Sequence, residues 1–93
     1  MPRYMILRRF AVEEAEMPQV GRRSKQVIEE QFPDVTWEHS HVVVDDNGTV
    51  STYCVYAAPD EETVWNHAKA LGRHEVQFIQ EIAGDVSPAD FPL

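Results

Sequence analysis

The sequence predicts an α+β fold of the ferredoxin-like type, in which a four-stranded antiparallel sheet carries two helices on one face. Three observations predict it. Two strand-like segments flank an Asn47-Gly48 pair, one helical pattern stands on each side of that hairpin, and short apolar segments stand near both ends of the 93-residue chain. The order β-α-β-β-α-β in so short a chain is typical of the split βαβ fold.

The first half of the chain is predicted to supply one strand and one helix. Residues 4–10 form a short apolar segment with an aromatic residue at each end, which predicts the first strand. The helix is predicted to begin at Pro18, because proline at a first helical position loses no hydrogen bond. Pro33 ends it. Its buried side is predicted from residues at helical spacing, namely Val20, Ser24, Val27, Ile28 and Phe32.

The second half is predicted to supply a hairpin, a helix and the last strand. Residues 35–45 and 49–57 are rich in Val, Thr, Tyr and Trp, which predicts two strands. Asp60 and Gly72 are predicted to begin and end the second helix. Its buried side carries Val64, Ala68 and Leu71. Residues 76–83 predict the last strand and residues 84–93 an extended tail, so the chain is predicted to form one domain over residues 1–93.

Composition argues against several classes of partner. Sixteen acidic residues against eight basic ones give a net charge of −8, which repels nucleic acid phosphates and anionic lipid. No segment approaches the ~18 apolar residues of a membrane span, the N-terminus lacks the apolar stretch of a signal peptide, and the single cysteine, Cys54, cannot form an internal disulfide. We therefore expect a cytoplasmic protein. A chain of this size buries a thin core, so we also expect a homodimer formed through sheet faces.

The hairpin register decides which side chains share a face of the sheet. If Asn47 and Gly48 form a two-residue loop, His41 pairs with Cys54 and His39 pairs with Tyr56. One face then carries both histidines together with Trp37, Val43, Thr52, Cys54 and Tyr56, and we expect this face to be open. The other face carries Val42, Val44, Val55 and Ala57, and we expect it to pack under the helices.

The two strand histidines are the main candidates for chemistry. Because they are two residues apart, His39 and His41 point to the same side, ~6.5–7 Å apart along the backbone. Their imidazoles can bind one Ni²⁺, Cu²⁺ or Zn²⁺ ion, with Cys54 across the ladder as a third ligand. The alternative is a polar pair that is hydrogen-bonded to Tyr56 or to water in a dimer interface. For Cys54 and for His67 on the second helix, the alternative is a packing role.

Several segments resemble a family of small, mostly bacterial ferredoxin-like proteins that includes a nickel-binding, nickel-responsive member from actinobacteria. Residues 35–42, 53–60 and 67–68 contain the motifs Trp-x-His-Ser and Cys-x-Tyr-x-Ala-Pro, which are specific in combination. The resemblance implies a dimeric α/β barrel that binds metal without established catalysis. It also implies that His39, Cys54 and His67 match positions typical of the family, whereas His41 stands where the family often has an aromatic residue.

Three functions follow as hypotheses. The first is a non-catalytic protein that binds a transition metal, nickel above all, for storage, buffering or sensing, with His39, His41, Cys54 and His67 as the candidate ligands. The second is a dimeric α/β-barrel enzyme, monooxygenase- or isomerase-like, in which a strand histidine acts as general base on a small aromatic compound. The third is a structural module whose open sheet face only forms the dimer.

Overall fold

The computed structural model describes residues 1–93 and contains the predicted elements in the predicted order. The strands and helices are β1 (Arg3–Phe10), α1 (Met17–Gln31), β2 (Thr36–Val44), β3 (Val50–Ala57), α2 (Glu61–Leu71) and β4 (His74–Glu81). The strands form one antiparallel sheet in the order β2-β3-β1-β4. Both helices pack on one face, so the predicted α+β arrangement of the ferredoxin-like type is confirmed. Neither helix is long and apolar enough to cross a membrane.

The helix ends follow the local sequence signals. The side chain of Asp60 accepts hydrogen bonds from the backbone N–H of Thr63 at 2.8 Å and from its hydroxyl at 2.6 Å, which starts α2. Gly72 ends α2 at a φ of +68°, a conformation that glycine adopts without strain. Pro18 lies in the first turn of α1. The last strand begins two residues earlier and ends two residues earlier than predicted.

The core lies between the helices and the inward side of the two central strands. The inward residues of β1 are Tyr4, Ile6, Arg8 and Phe10, and those of β3 are Val50, Thr52, Cys54 and Tyr56; all of them are buried. The helices add Val20, Val27, Ile28, Val64, Ala68 and Leu71. Arg8 is the one charged residue among these buried positions.

The hairpin between β2 and β3 differs from the prediction by one residue. Its loop has three residues, 46–48, because the side chain of Asp45 accepts hydrogen bonds from the backbone N–H groups of Asn47 and Thr49, both at 2.9 Å. Gly48 takes a φ of +82°, as the last residue of such a loop requires. Strand partners therefore slip by one, and His41 pairs with Tyr53 rather than with Cys54.

A slip of one residue exchanges the two faces of a strand relative to its partner. Ser40 pairs with Cys54 and Val42 with Thr52 on the helix side. The prediction that the two histidines share a face with Cys54 and Tyr56 is therefore wrong. The prediction that Val55 and Ala57 pack under the helices is also wrong.

A β-bulge in β2 changes the face on which Trp37 lies. Glu38 is the extra residue of the bulge, so Trp37 pairs with Tyr56 and also lies on the helix side rather than beside the histidines. The Glu38 carboxylate accepts two hydrogen bonds from Arg3 of β1, at 2.7 and 3.0 Å. We call the sheet side away from the helices the open face; it carries Met5, Leu7, His39, His41, Val43, Tyr53, Val55 and Phe78, of which Val55 is buried between its neighbours.

Candidate functional site

The strand histidines lie side by side on the open face. The ring centroids of His39 and His41 are 5.4 Å apart, and the rings stand nearly perpendicular, at 74°. Both side chains are exposed on β2, which is an edge strand. Their cross-strand neighbours are Val55 and Tyr53, respectively. The two imidazoles are thus accessible to a dissolved ion without any rearrangement of the fold.

Cys54 lies on the opposite side of the sheet from the histidine pair. Its side chain is buried on β3, beneath the helices. The Sγ atom accepts a hydrogen bond from Arg8 Nη1 at 3.5 Å and donates one to Thr52 Oγ1 at 3.4 Å. The sheet backbone separates this thiol from the strand histidines, so the three do not form one site.

His67 joins Cys54 in a buried polar cluster. It projects from α2 and is only 1% exposed. Its Nδ1 lies 3.4 Å from Arg8 Nη2 and its Nε2 lies 3.3 Å from Ser24 Oγ. Burial first, and then the positive charge of Arg8, lower the pKa of His67 to about 4. The imidazole is therefore neutral at physiological pH.

Arg8 is the centre of the buried cluster. The residue is 2% exposed, and its Nη1 donates a hydrogen bond to Tyr56 Oη at 3.0 Å. Burial raises the pKa of the Tyr56 phenol, which is therefore neutral as well. None of the ion pairs of the protein includes Arg8.

The four predicted metal ligands thus divide into two groups. His39 and His41 lie on the open face, and Cys54 and His67 lie beneath the helices. No group of three or more His, Cys, Asp and Glu side chains comes close enough to hold a metal ion. His74 joins neither group, since its Nδ1 donates a hydrogen bond to the carbonyl oxygen of Gly72 at 2.7 Å and its ring packs on Phe10.

The two groups differ in how well they fit a divalent metal. In the buried cluster the Arg8 guanidinium contacts both the Cys54 sulfur and the His67 Nδ1, so the two donor atoms are already engaged by a cation. A second positive ion there would be repelled at short range and does not fit. The pair on the open face offers two imidazoles with no cation hydrogen-bonded to either ring, and imidazole suits nickel, copper and zinc.

Sequence reasoning missed Arg8, the residue that organises the buried cluster. Its signal is the alternation of β1, in which Tyr4, Ile6 and Phe10 point inward and place residue 8 on the same side. An arginine at an inward position of a central strand is unusual enough to mark a polar site. The sequence predicts Ser24 on the buried side of α1, and the structure confirms this position. The sequence did not indicate a chemical role for it.

A cavity of about 240 Å³ adjoins the buried cluster, between the sheet and α1. Trp37 and Tyr56 line it, whereas neither strand histidine does. The enzyme hypothesis required His39 or His41 as a general base within such a pocket. Because both histidines lie on the other side of the sheet, the structure does not support it.

Comparisons with known proteins agree with the fold. A family model described as nickel responsive protein SCO4226-like matches residues 4–82. The crystal structure of SCO4226 from Streptomyces coelicolor A3(2) is similar, with a TM-score of 0.67 and 19% identity over 90% of this chain and 99% of that one. The de novo designed protein Foldit4 has a TM-score of 0.56 and 16% identity over 91% of this chain and 100% of its own. No curated protein matches the chain. At these identities the two structures support the fold alone.

Proposed function

This chain belongs to the SCO4226-like family of nickel responsive proteins, and we propose that it binds nickel without catalysis, as a cytoplasmic store, buffer or sensor of the metal. The observation that carries the proposal is the pair of adjacent, exposed imidazoles of His39 and His41 on the open face. The description of the family names nickel, and two exposed imidazoles suit that ion better than Cys54 and His67, whose donor atoms Arg8 engages.

The chemistry of the pair supports a reversible site. A neutral imidazole binds late first-row metals through a ring nitrogen, and two imidazoles that reach the same ion both contribute to the binding free energy. Because His39 and His41 are exposed, binding removes little protein surface from water. Two protein ligands leave the other coordination positions of nickel to water or to a second copy of the chain. Such a site suits exchange of the ion rather than permanent retention.

We also propose that the open face pairs with a second copy of the chain. A row of cross-strand partners runs from His41 through Tyr53 and Leu7 to Phe78, so apolar side chains adjoin the histidine pair. Tyr53 is 38% exposed and Met5 is 36% exposed, and a second sheet face would cover both. The second copy would bring its own histidine pair to the same interface.

Nickel titration of chelator-stripped, untagged protein by calorimetry tests the metal site. At about pH 7.5 we expect saturable binding, and at about pH 5.5 we expect it to weaken at least about tenfold, because protons compete with metal for imidazole. The double variant His39→Ala/His41→Ala should lose binding. His74→Gln, which removes a histidine from another part of the fold, should bind as the wild type does. Unchanged stoichiometry in the double variant would refute the site.

Sedimentation of the wild type and of Tyr53→Lys tests the dimer. We expect the wild type to sediment as a dimer at roughly micromolar concentration, because its exposed apolar side chains are then covered. A lysine at the centre of the open face should convert it to a monomer with unchanged circular dichroism. Trp65→Lys, a change at a similarly exposed aromatic on α2, is the matched control and should remain dimeric. A wild type that is monomeric over the whole concentration range would exclude this interface.

A further inference from the structure

The buried guanidinium of Arg8 lacks a negative partner. A guanidinium carries five N–H donors, and the three contacts of Arg8 reach a phenol, a thiol and an imidazole. Its Nε is buried with no acceptor at all. An unpaired buried charge is costly, and so is a buried donor that makes no hydrogen bond. The cluster is therefore short of one anionic acceptor.

The cavity beside Arg8 has the size and lining for a small organic molecule. Its volume of about 240 Å³ exceeds the ~150 Å³ of an engineered apolar cavity that holds benzene. Apolar walls come from Phe10, Met17, Val20, Trp37 and Leu71. The polar lining residues are Arg8, Ser24, Ser40, Thr52 and Tyr56, with the Cys54 thiol beside them. None of the lining residues is acidic, although the chain as a whole has a net charge of −8.

The hydrogen-bond directions supply a second donor next to Arg8. Because Arg8 Nη2 donates to Nδ1 of His67, the proton of the neutral ring lies on Nε2, which donates to Ser24 Oγ. The hydroxyl hydrogen of Ser24 then turns either to Tyr56 Oη or to an acceptor in the cavity, which both residues line. A carboxylate could receive hydrogen bonds from both Ser24 and Arg8.

We propose that this cavity binds a small monocarboxylate with an apolar or aromatic body. The carboxylate pairs with Arg8 and accepts from Ser24, and the apolar body packs between Trp37, Phe10 and Leu71. A carboxylate supplies the negative partner that Arg8 lacks within the protein. Charge-assisted hydrogen bonds of this kind are about twice as strong as neutral ones. This site is separate from the nickel site, because it lies on the other side of the sheet.

Binding of benzoate and of its neutral isostere benzamide, measured by calorimetry on the full chain without metal, tests the proposal. We expect saturable one-to-one binding of benzoate at least about tenfold tighter than that of benzamide, since a buried hydrogen-bonded charge pair is worth more than one decade. In Arg8→Met this preference should vanish, and in Ser24→Ala benzoate should weaken about three- to tenfold. Circular dichroism of each variant checks that it folds.

Two further arms make the outcome decisive. The double variant His39→Ala/His41→Ala should bind benzoate as the wild type does, so failure of the nickel site would leave this result intact. Acetate, which has the charge without the ring, should bind more weakly than benzoate by at least about tenfold, because it buries less apolar surface. Equal affinity for benzoate and benzamide, no saturable benzoate binding, acetate binding equal to that of benzoate, or unchanged benzoate binding in Arg8→Met would each overturn the proposal. The comparisons of benzoate with benzamide and with acetate use the wild type, so they test the proposal even if Arg8→Met does not fold.

Discussion

Acidification from about pH 7.5 to about pH 5 is expected to lower the free energy of unfolding by about 2 kcal/mol through His67 alone. The pKa of His67 is about 4 in the folded protein, against an ordinary value of 6.5. Between these two values the unfolded chain binds a proton that the folded chain does not. The contribution of His67 to the free energy of unfolding is therefore complete above about pH 6.5 and declines as the pH falls toward 4.

The surroundings of His67 explain the size of this effect. Arg8 from β1 faces Nδ1, and Ser24 from α1 faces Nε2. The Tyr56 ring from β3 lies 5.4 Å away and that of Phe32 lies 5.9 Å away, centroid to centroid. None of these neighbours is an acid that would stabilise an imidazolium. A protonated His67 would be a second buried cation beside Arg8, which is why protonation disfavours the folded state.

Urea denaturation of the wild type and of His67→Gln at several values between about pH 7.5 and 5 measures the effect. Glutamine cannot be protonated in this range, so the stability difference between the two proteins should shrink by about 2 kcal/mol on acidification. Burial also lowers the pKa of His74, which adds a contribution of the same sign. His74→Gln isolates that part. Parallel stability profiles for the wild type and His67→Gln would contradict the assignment.

The fold was predictable because several local signals agree with one another. The Asp60 cap, the Gly72 terminator and the proline in the first turn of α1 each have a physical reason that depends only on neighbouring residues. The buried stripes of both helices repeat at helical spacing. With the element order in hand, few sheet arrangements remain for so short a chain. A fold can be predicted from its sequence when the helix caps, the helical spacing and the element order all indicate the same arrangement, as they do here.

The candidate site was less predictable, because it depended on the length of one loop. An Asn-Gly pair favours a two-residue turn, but it also suits a three-residue loop with glycine last. The side chain of Asp45 decides between them by accepting hydrogen bonds from two backbone N–H groups of the loop. That single residue moved Cys54 and Tyr56 away from the histidine face. Composition and residue spacing do not distinguish the three-residue loop from the two-residue turn.

Arg8 was overlooked for a different reason. In sequence it stands beside Arg9, and a pair of arginines at the end of a strand is typical of a solvated surface. Strand alternation distinguishes them, since Arg9 is exposed on the open face whereas Arg8 is buried under the helices. The same alternation identifies Tyr4, Ile6 and Phe10 as core residues. A charged residue in phase with a core pattern therefore indicates a buried polar site.

Replacement of Arg8 by methionine is expected to raise the free energy of unfolding by about 2 kcal/mol in buffer without a carboxylate. Arg8 is 2% exposed, has no ion pair and leaves its Nε without an acceptor. Its position 5.2 Å from the centre of the Tyr56 ring offsets only a part of the desolvation cost. Methionine fills a similar elongated space without a charge, and it adapts to irregular surroundings.

The same substitution should raise the pKa of His67, because the nearest positive charge is removed. Urea denaturation at about pH 7.5 and at about pH 5 measures both consequences, and the stability of Arg8→Met should depend less on pH than that of the wild type. Arg8→Lys is the matched control, since it keeps the charge but loses the fork of donors, and it should be less stable than the wild type. A loss of more than about 1 kcal/mol in Arg8→Met would show that the three hydrogen bonds of Arg8 outweigh its desolvation, which would make it a structural residue. A gain in stability would mean that the fold keeps Arg8 at a cost, as proteins do where a binding site requires a group that the core does not.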